Sequence, residues 1–247
     1  MNAAQAKAKN DAVGKTVRIM ETLVRADHVL SVREIAAETG IPHSTVHRFL
    51  LALEKRGWAA QDAGTGNFRA GLRFFLLNRS ASFFSELVRC ARAPMKKLVE
   101  QTGKTAILSV IEGSGGLCIH TEEPPQAVKF VAREGMAVPL DRGATGLVLL
   151  AWCSAALRAR VIAECAAAAS GGNGLIRRVE KIRSQGYSHS SEEWMPHAED
   201  LSVPVFDRSG VFAAQLGIAG LAGTFGSWES DLLPALRAAS GKISSSL

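Results

Sequence analysis

Apolar residues recur three or four positions apart at Val17, Met20, Leu23 and Val24, with Arg18, Glu21 and Arg25 among the positions between them. That period predicts an amphipathic helix over 14–26. A second helix is expected to open at Ser31, whose hydroxyl can cap free backbone N–H groups while Glu34 reaches back, and to close at Gly40. After Gly40-Ile41-Pro42, the run HSTVHRFLLALEKRG places Val46, Leu50 and Leu53 on one stripe with Phe49 beside it. A short strand at 58–62, the Gly-bearing turn 63–66 and a strand at 67–69 then predict a hairpin.

Two short helices joined by a tight turn, followed by a hairpin, have the outline of a winged helix-turn-helix. In such a module the start of the second helix enters the major groove. The residues exposed there would be His43, Ser44, Thr45, His47 and Arg48. Arg48 can offer two donors to guanine or one to phosphate, and the hydroxyls suit phosphate or base edges. Arg69 on the hairpin is a further candidate for a phosphate. A solvated helix face and a solvated hairpin arginine are the alternatives.

Further along, 72–101 is rich in Leu, Phe and Val with little turn chemistry before Pro94. It predicts a linking helix and then a second helix opening a larger domain. The excess of aromatic surface points to a dimer contact or to packing within the chain. Strand-like runs follow at 105–111, 117–121, 127–132, 201–207 and 211–220. The short connections 112–116 and 208–210 predict antiparallel hairpins. Helical runs are expected around 144–168, 174–185 and 228–243. Helix, strands, helices, strands, helix is the order of an α+β domain with an antiparallel sheet.

Composition narrows the partners. Residues 1–80 carry 12 Lys and Arg against 7 Asp and Glu, and residues 81–247 carry 17 against 16, so nearly all of the net charge of +6 lies in the first third. That is the footprint of a segment facing a polyanion, or of a merely basic soluble face. The polar start MNAAQAKAKND has no apolar signal region, and the longest apolar stretch, 146–157, is too short to span a bilayer. The four cysteines are scattered without a CxxC pair. A cytoplasmic protein with reduced thiols and no membrane partner is expected.

The run SVREIAAETGIPHSTVHRFLLALEKRGWAAQDAGTGNFRAG resembles the winged helix-turn-helix of IclR-type transcriptional regulators, element by element, and the likeness extends over essentially the whole chain after the first dozen residues. It implies a flexible N-terminus (1–12), a DNA-binding domain (13–71), a linker helix (72–84) and a GAF-like effector-binding domain (85–247). It also implies control of genes of organic-acid or aromatic metabolism. One module covers one half-site, so a homodimer or tetramer on a palindromic operator is expected.

From Val138 to Gly146 the chain passes from an extended segment into a helix whose small first residues leave its N–H groups open, which favours a carboxylate. An ordinary turn is the alternative. By resemblance this segment lines the effector pocket with Gly143, Ala144 and Thr145. The stretch after Gln185-Gly186-Tyr187 and the last strand would add Ser190, Asp200, Ser202, Gly217 and Ala219. The sequence departs from the family pattern in having His189-Ser190-Ser191 where a carboxylate is frequent, and Gly217 and Ala219 where hydroxyls are frequent. Asp200 would repel a carboxylate unless paired. No GxSxG, HExxH or phosphate-binding loop is present, so no catalytic residue, metal or cofactor is expected. Cys118-x-His120 and the pair His189 and His197 have no diagnostic metal spacing. A small-molecule-binding enzyme or sensor with an incidental helix-turn-helix is the competing reading.

Overall fold

A computed structural model describes residues 12–77, 83–167 and 172–247. The chain divides into two compact units between residues 81 and 82.

The first unit begins with α1 (Ala12–Arg25), α2 (Val32–Thr39) and α3 (His43–Glu54). The inward stripe of α1 is Ile19, Thr22 and Leu23, whereas Val17 and Val24 are 45% and 53% exposed. The apolar pattern misassigned this face because a polar residue belongs to it: the Thr22 hydroxyl donates to Glu38 at 3.4 Å. The expected cap of α2 is present. The Glu34 N–H donates to Ser31 Oγ at 3.2 Å, and the Ser31 N–H donates to Glu34 Oε2 at 2.7 Å. Gly40 closes the helix in the left-handed region at φ 65°, which costs a residue without Cβ little. In α3, Val46, Leu50 and Leu53 are buried as their spacing predicts. Strands β1 (Ala59–Gln61) and β2 (Phe68–Ala70) pair antiparallel. Leu30 exchanges backbone hydrogen bonds with Phe68 and ties the hairpin to the core.

The expected linker over 72–84 is described in part. Helix α4 (Leu72–Leu77) lies in it and α5 (Phe83–Thr102) begins in it, while 78–82 lie outside the described residues. The side chains of Phe75, Leu76 and Phe83, expected at a dimer contact or in packing within the chain, also lie outside them. The expected flexible N-terminus falls outside the described residues up to position 11. Phe74 packs edge-on to Trp58 at 5.2 Å.

The second unit is an α+β layered domain. Its strands are β3 (Thr105–Glu112), β4 (Gly115–Glu122), β5 (Ala137–Val138), β6 (Ser188–Ser191), β7 (Ala198–Phe206) and β8 (Phe212–Leu221). They form one antiparallel sheet in the order β5-β4-β3-β8-β7-β6. Period-2 alternation sends Ala106, Leu108, Val110, Leu201, Val203, Val205, Leu216 and Ile218 to one face, where they pack on α5 and α9 (Leu232–Ser246). The other face is covered by α6 (Gly143–Trp152), α7 (Ala155–Ala167) and α8 (Gly172–Gln185). Helix α6 is buried from Gly143 through Ala151, as a helix apolar on all sides must be.

Three expectations are corrected here. The run 127–132 is not a strand. Its alternation is not matched by burial, since Val128 and Val131 are 74% and 54% exposed. It is instead pinned as a cover segment by the Thr105 hydroxyl donating to the Phe130 carbonyl at 2.5 Å. The single helix expected over 144–168 is two, because Ser154 accepts from the Leu157 N–H at 3.3 Å and starts a new helix. The last helix starts at Leu232, four residues later than expected.

Candidate functional sites

In the first unit, α3 presents His43, Ser44, His47 and Arg48 as exposed side chains, with Thr45 half-buried. The backbone of Pro42 accepts from the Thr45 and Val46 N–H groups, so α3 starts at His43 and its first turn projects outward. Arg48 lies 5.8 Å from the centroid of the Phe49 ring, which supports its stem and leaves its donors in solvent. Arg69, on β2, is exposed beside the turn that Asp62 closes by accepting from the Thr65 N–H at 2.9 Å and its hydroxyl at 2.8 Å. The candidate DNA-contacting residues thus occupy one helix start and one hairpin of a small rigid core.

In the second unit a narrow pocket opens at the N-terminus of α6. Of the eight residues expected to line a pocket, Thr145, Ser190, Asp200 and Ala219 do so. Gly143, Ala144, Ser202 and Gly217 lie behind these. The expectation that the N–H groups of α6 stand open is corrected by the structure. Gly143 N donates to Glu193 Oε2 at 3.3 Å, Ala144 N to Ser190 Oγ at 3.0 Å, and Thr145 N to Asp200 Oδ2 at 2.9 Å. A buried helix end needs such partners, and here the chain's own side chains supply them. Gly143 sits at φ 72°, where a Cβ would also press on Trp194 at 3.3 Å.

Asp200 gathers donors. Ser190 Oγ donates to its Oδ1 at 2.5 Å, and Thr145 gives Oδ2 both its N–H and its hydroxyl, the latter at 3.2 Å. Behind Thr145 the polar chain continues to Ser202 at 3.2 Å and from Ser202 to Gln215 Nε2 at 2.9 Å. Gly217 makes room for this chain, since a Cβ there would collide with the Gln215 amide and the Ser202 hydroxyl. Burial pushes the Asp200 carboxyl above its ordinary range, against the opposing pull of the Ser190, Thr145 and Ala144 hydrogen bonds. Glu193 is held by Arg178, with both of its oxygens within 2.8 Å of one guanidinium nitrogen.

The sequence reading missed Ile107, Phe130, Glu193, Trp194, Met195 and Ala198, which complete the pocket. Only Glu193-Trp194 carried a signal, as an acid and an aromatic side chain in an otherwise polar loop.

The other titratable candidates are engaged elsewhere. His120 is buried between Glu134 at 2.7 Å and Glu122 at 3.0 Å. His189 pairs with Glu199 at 2.8 Å and stacks on Trp228 at 4.4 Å, and His197 pairs with Glu192 at 3.2 Å. Cys118 is buried and its thiol is raised to about 12, mainly by desolvation. Among the described residues no group of three or more His, Cys, Asp or Glu could hold a metal ion. No helix among them is long and apolar enough to cross a membrane.

Two family models match the chain. The IclR helix-turn-helix domain covers residues 12–63, and the bacterial transcriptional regulator IclR C-terminal domain covers 84–245. The HTH-type transcriptional regulator KdgR of Dickeya chrysanthemi is 26% identical over 85% of this chain and 71% of its own length. The HTH-type transcriptional regulator BhcR of Paracoccus denitrificans (strain Pd 1222) is 27% identical over 85% of this chain and 77% of its own length. Among solved structures, an IclR homologue from Microbacterium hydrocarbonoxydans complexed with 4-hydroxybenzoate superposes with a TM-score of 0.79. It is 21% identical and covers 96% of this chain and 99% of its own.

Proposed function

Since the chain belongs to the IclR family of bacterial transcriptional regulators, we propose that its first unit reads a palindromic operator and that the cavity at the start of α6 is where an effector acts. The observation that carries this reading is the outward first turn of α3, with His43, Ser44, His47 and Arg48 exposed in the third of the chain that carries nearly all the excess positive charge. In the proposal Arg48 reads a base edge or grips a phosphate, the hydroxyls and histidines fix register, and Arg69 touches the backbone. A two-fold assembly would seat two α3 helices in successive major grooves. Support for it comes from α1, whose Val13, Val17 and Val24 are exposed among the described residues.

The effector reading rests on the cavity's form. Apolar and aromatic walls surround a few convergent polar groups, the usual build of a small-molecule site. Thr145, Ser190, Asp200 and Ala219 would meet the effector, Gly143 and Ala144 would shape the helix start, and Ser202 and Gly217 would hold the polar chain behind it. The 4-hydroxybenzoate bound by the Microbacterium hydrocarbonoxydans homologue supports a compact frame able to lie against Phe130 and Trp194. Effector binding would shift operator affinity by a coupling of about 1–3 kcal/mol. The protein would act in the cytoplasm on genes of small-molecule metabolism.

The test is a titration of labelled promoter DNA at several salt concentrations with the full chain and with Arg48→Ala. The proposal expects a preferred fragment, affinity falling steeply with salt, and a loss of binding in the variant with effector affinity kept. Equal binding to every fragment, or an unaffected variant, would overturn it.

A further inference from the structure

From the hollow that Lys104 and Lys129 line we infer a second ligand site, separate from the pocket at the start of α6, that takes a small organic anion: a carboxylate or phosphate group on a compact apolar frame. The hollow lies between the residues leading into β3, the end of β8 and the cover segment 127–132, with a volume of about 170 Å³. Phe130 and Ala219 wall both spaces, whereas Thr145, Ser190 and Asp200 line the first and not the second. The inference goes beyond the effector reading and does not depend on it.

The charge of the hollow is one-sided. Lys104 and Lys129 line it, and no Asp or Glu does. Lys129 is already paired, with Glu123 at 2.9 Å. The Lys104 ammonium donates to the Thr224 carbonyl at 2.8 Å and to its hydroxyl at 2.6 Å, and lies 5.0 Å from the centroid of the Phe225 ring. These partners are all neutral. Thr224 takes two of the three ammonium donors, and no acceptor among the described residues takes the third. The carboxylate whose field reaches Lys104 is Glu199, but its oxygens are engaged, Oε1 with His189 at 2.8 Å and Oε2 with the Gly223 N–H at 2.9 Å. Burial pushes the Lys104 ammonium below its ordinary range, as it does a cation short of a counter-ion. An oxyanion in the hollow would supply both the acceptor and the charge.

The rest of the lining favours an organic anion over a bare ion. Gly220 leaves the space that Lys104 crosses, since a Cβ there would meet Lys104 Cδ at 2.9 Å and the Phe225 ring at 3.2 Å. Gln126 adds an exposed amide at the rim. Beside these polar groups Pro124, Val128, Phe130 and Leu221 are apolar, and Val128 and Leu221 are exposed. A hydrocarbon attached to the anion would cover them.

The experiment titrates benzoate, phenyl phosphate, benzyl alcohol and inorganic phosphate into the full chain by calorimetry. It is repeated with Lys104→Gln, which removes the charge and keeps a polar side chain, and with Lys104→Arg, which keeps the charge. Saturable binding of benzoate or phenyl phosphate is expected, and the tighter of the two identifies the oxyanion. Binding should weaken with added salt. The alcohol should bind about tenfold or more weakly, as the loss of a charge-assisted hydrogen bond requires, and inorganic phosphate should also bind more weakly than phenyl phosphate. Lys104→Gln should lose about tenfold or more in affinity for the organic anion, and Lys104→Arg less. Neither organic anion binding, an alcohol equal to the anions, inorganic phosphate binding as tightly as phenyl phosphate, an affinity unchanged in Lys104→Gln or an equal loss in both variants would each overturn the inference. An anion seated only at the start of α6 gives an affinity unchanged in Lys104→Gln, which counts against the second site and leaves the effector reading standing. The comparison of the four compounds on the unaltered chain needs no substitution, so it decides even where a variant fails to fold.

Discussion

Replacing Thr145 by valine tests the polar chain under α6 most sharply, because valine keeps the shape and removes only the hydroxyl. That hydroxyl donates to Asp200 Oδ2 at 3.2 Å and meets Ser202 Oγ at 3.2 Å, with Gln215 Nε2 at 3.5 Å. Thr145 is 3% exposed, so water does not replace these partners without rearrangement. The distances are long, which places each bond at the weak end of the usual range, roughly 0.5–1.5 kcal/mol net. The Ser202 hydroxyl is left without its acceptor in a fully buried position, a further loss of about 1 kcal/mol or more. The total is about 2–3 kcal/mol. The control is Thr145→Ser, which keeps the hydroxyl and gives up a methyl worth about 1 kcal/mol. Urea unfolding followed by tryptophan fluorescence in a Trp58→Phe background reads the second unit, since the other three tryptophans, Trp152, Trp194 and Trp228, lie in it. Valine less stable than serine is the expected order. Valine equal to or more stable than serine would refute the claim that the hydroxyl holds this network together.

Two further outcomes follow from the same geometry. Ser31→Ala removes the acceptor for the Glu34 N–H and should cost about 1 kcal/mol of first-unit stability, read as a lower unfolding midpoint; no change would mean that the cap is idle. Asp200 has a folded carboxyl raised above its ordinary value of 3.8 by burial, so ionisation favours the unfolded chain. The stability tied to its protonated form is complete below 3.8 and is lost as pH rises through the folded value. The stability of the wild type relative to Asp200→Asn should therefore fall as pH rises across that window, and a difference flat in pH would contradict it.

How far the sequence foretold this molecule depended on whether the signal was local. Ser31, Glu34 and Gly40 act on backbone within a few residues, and the helix they bound is where they place it. Strands β3 and β8 were legible because their alternation serves one sheet and their hairpins are short. The α1 face was misread because Thr22, a polar residue, is buried against Glu38. Residues 127–132 look like a strand, but in place of ladder bonds the Thr105 hydroxyl on the Phe130 carbonyl and the Lys129 contacts with Glu123 and Pro124 hold them. The site was legible as a region and opaque as chemistry. Thr145, Ser190 and Asp200 were named, but that Glu193 and Asp200 would point back at the start of α6 depends on contacts 50 and 55 residues apart. No periodicity encodes such a contact.

The central claim, that this chain reads specific duplex DNA through the exposed start of α3, is tested most directly by selecting bound duplexes from a random pool with the purified full chain. Enrichment of an inverted repeat whose half-sites lie about one helical turn apart, abolished in Arg48→Ala, is the predicted result. A bound pool with no preferred sequence, or the same repeat recovered with Arg48→Ala, would contradict the account.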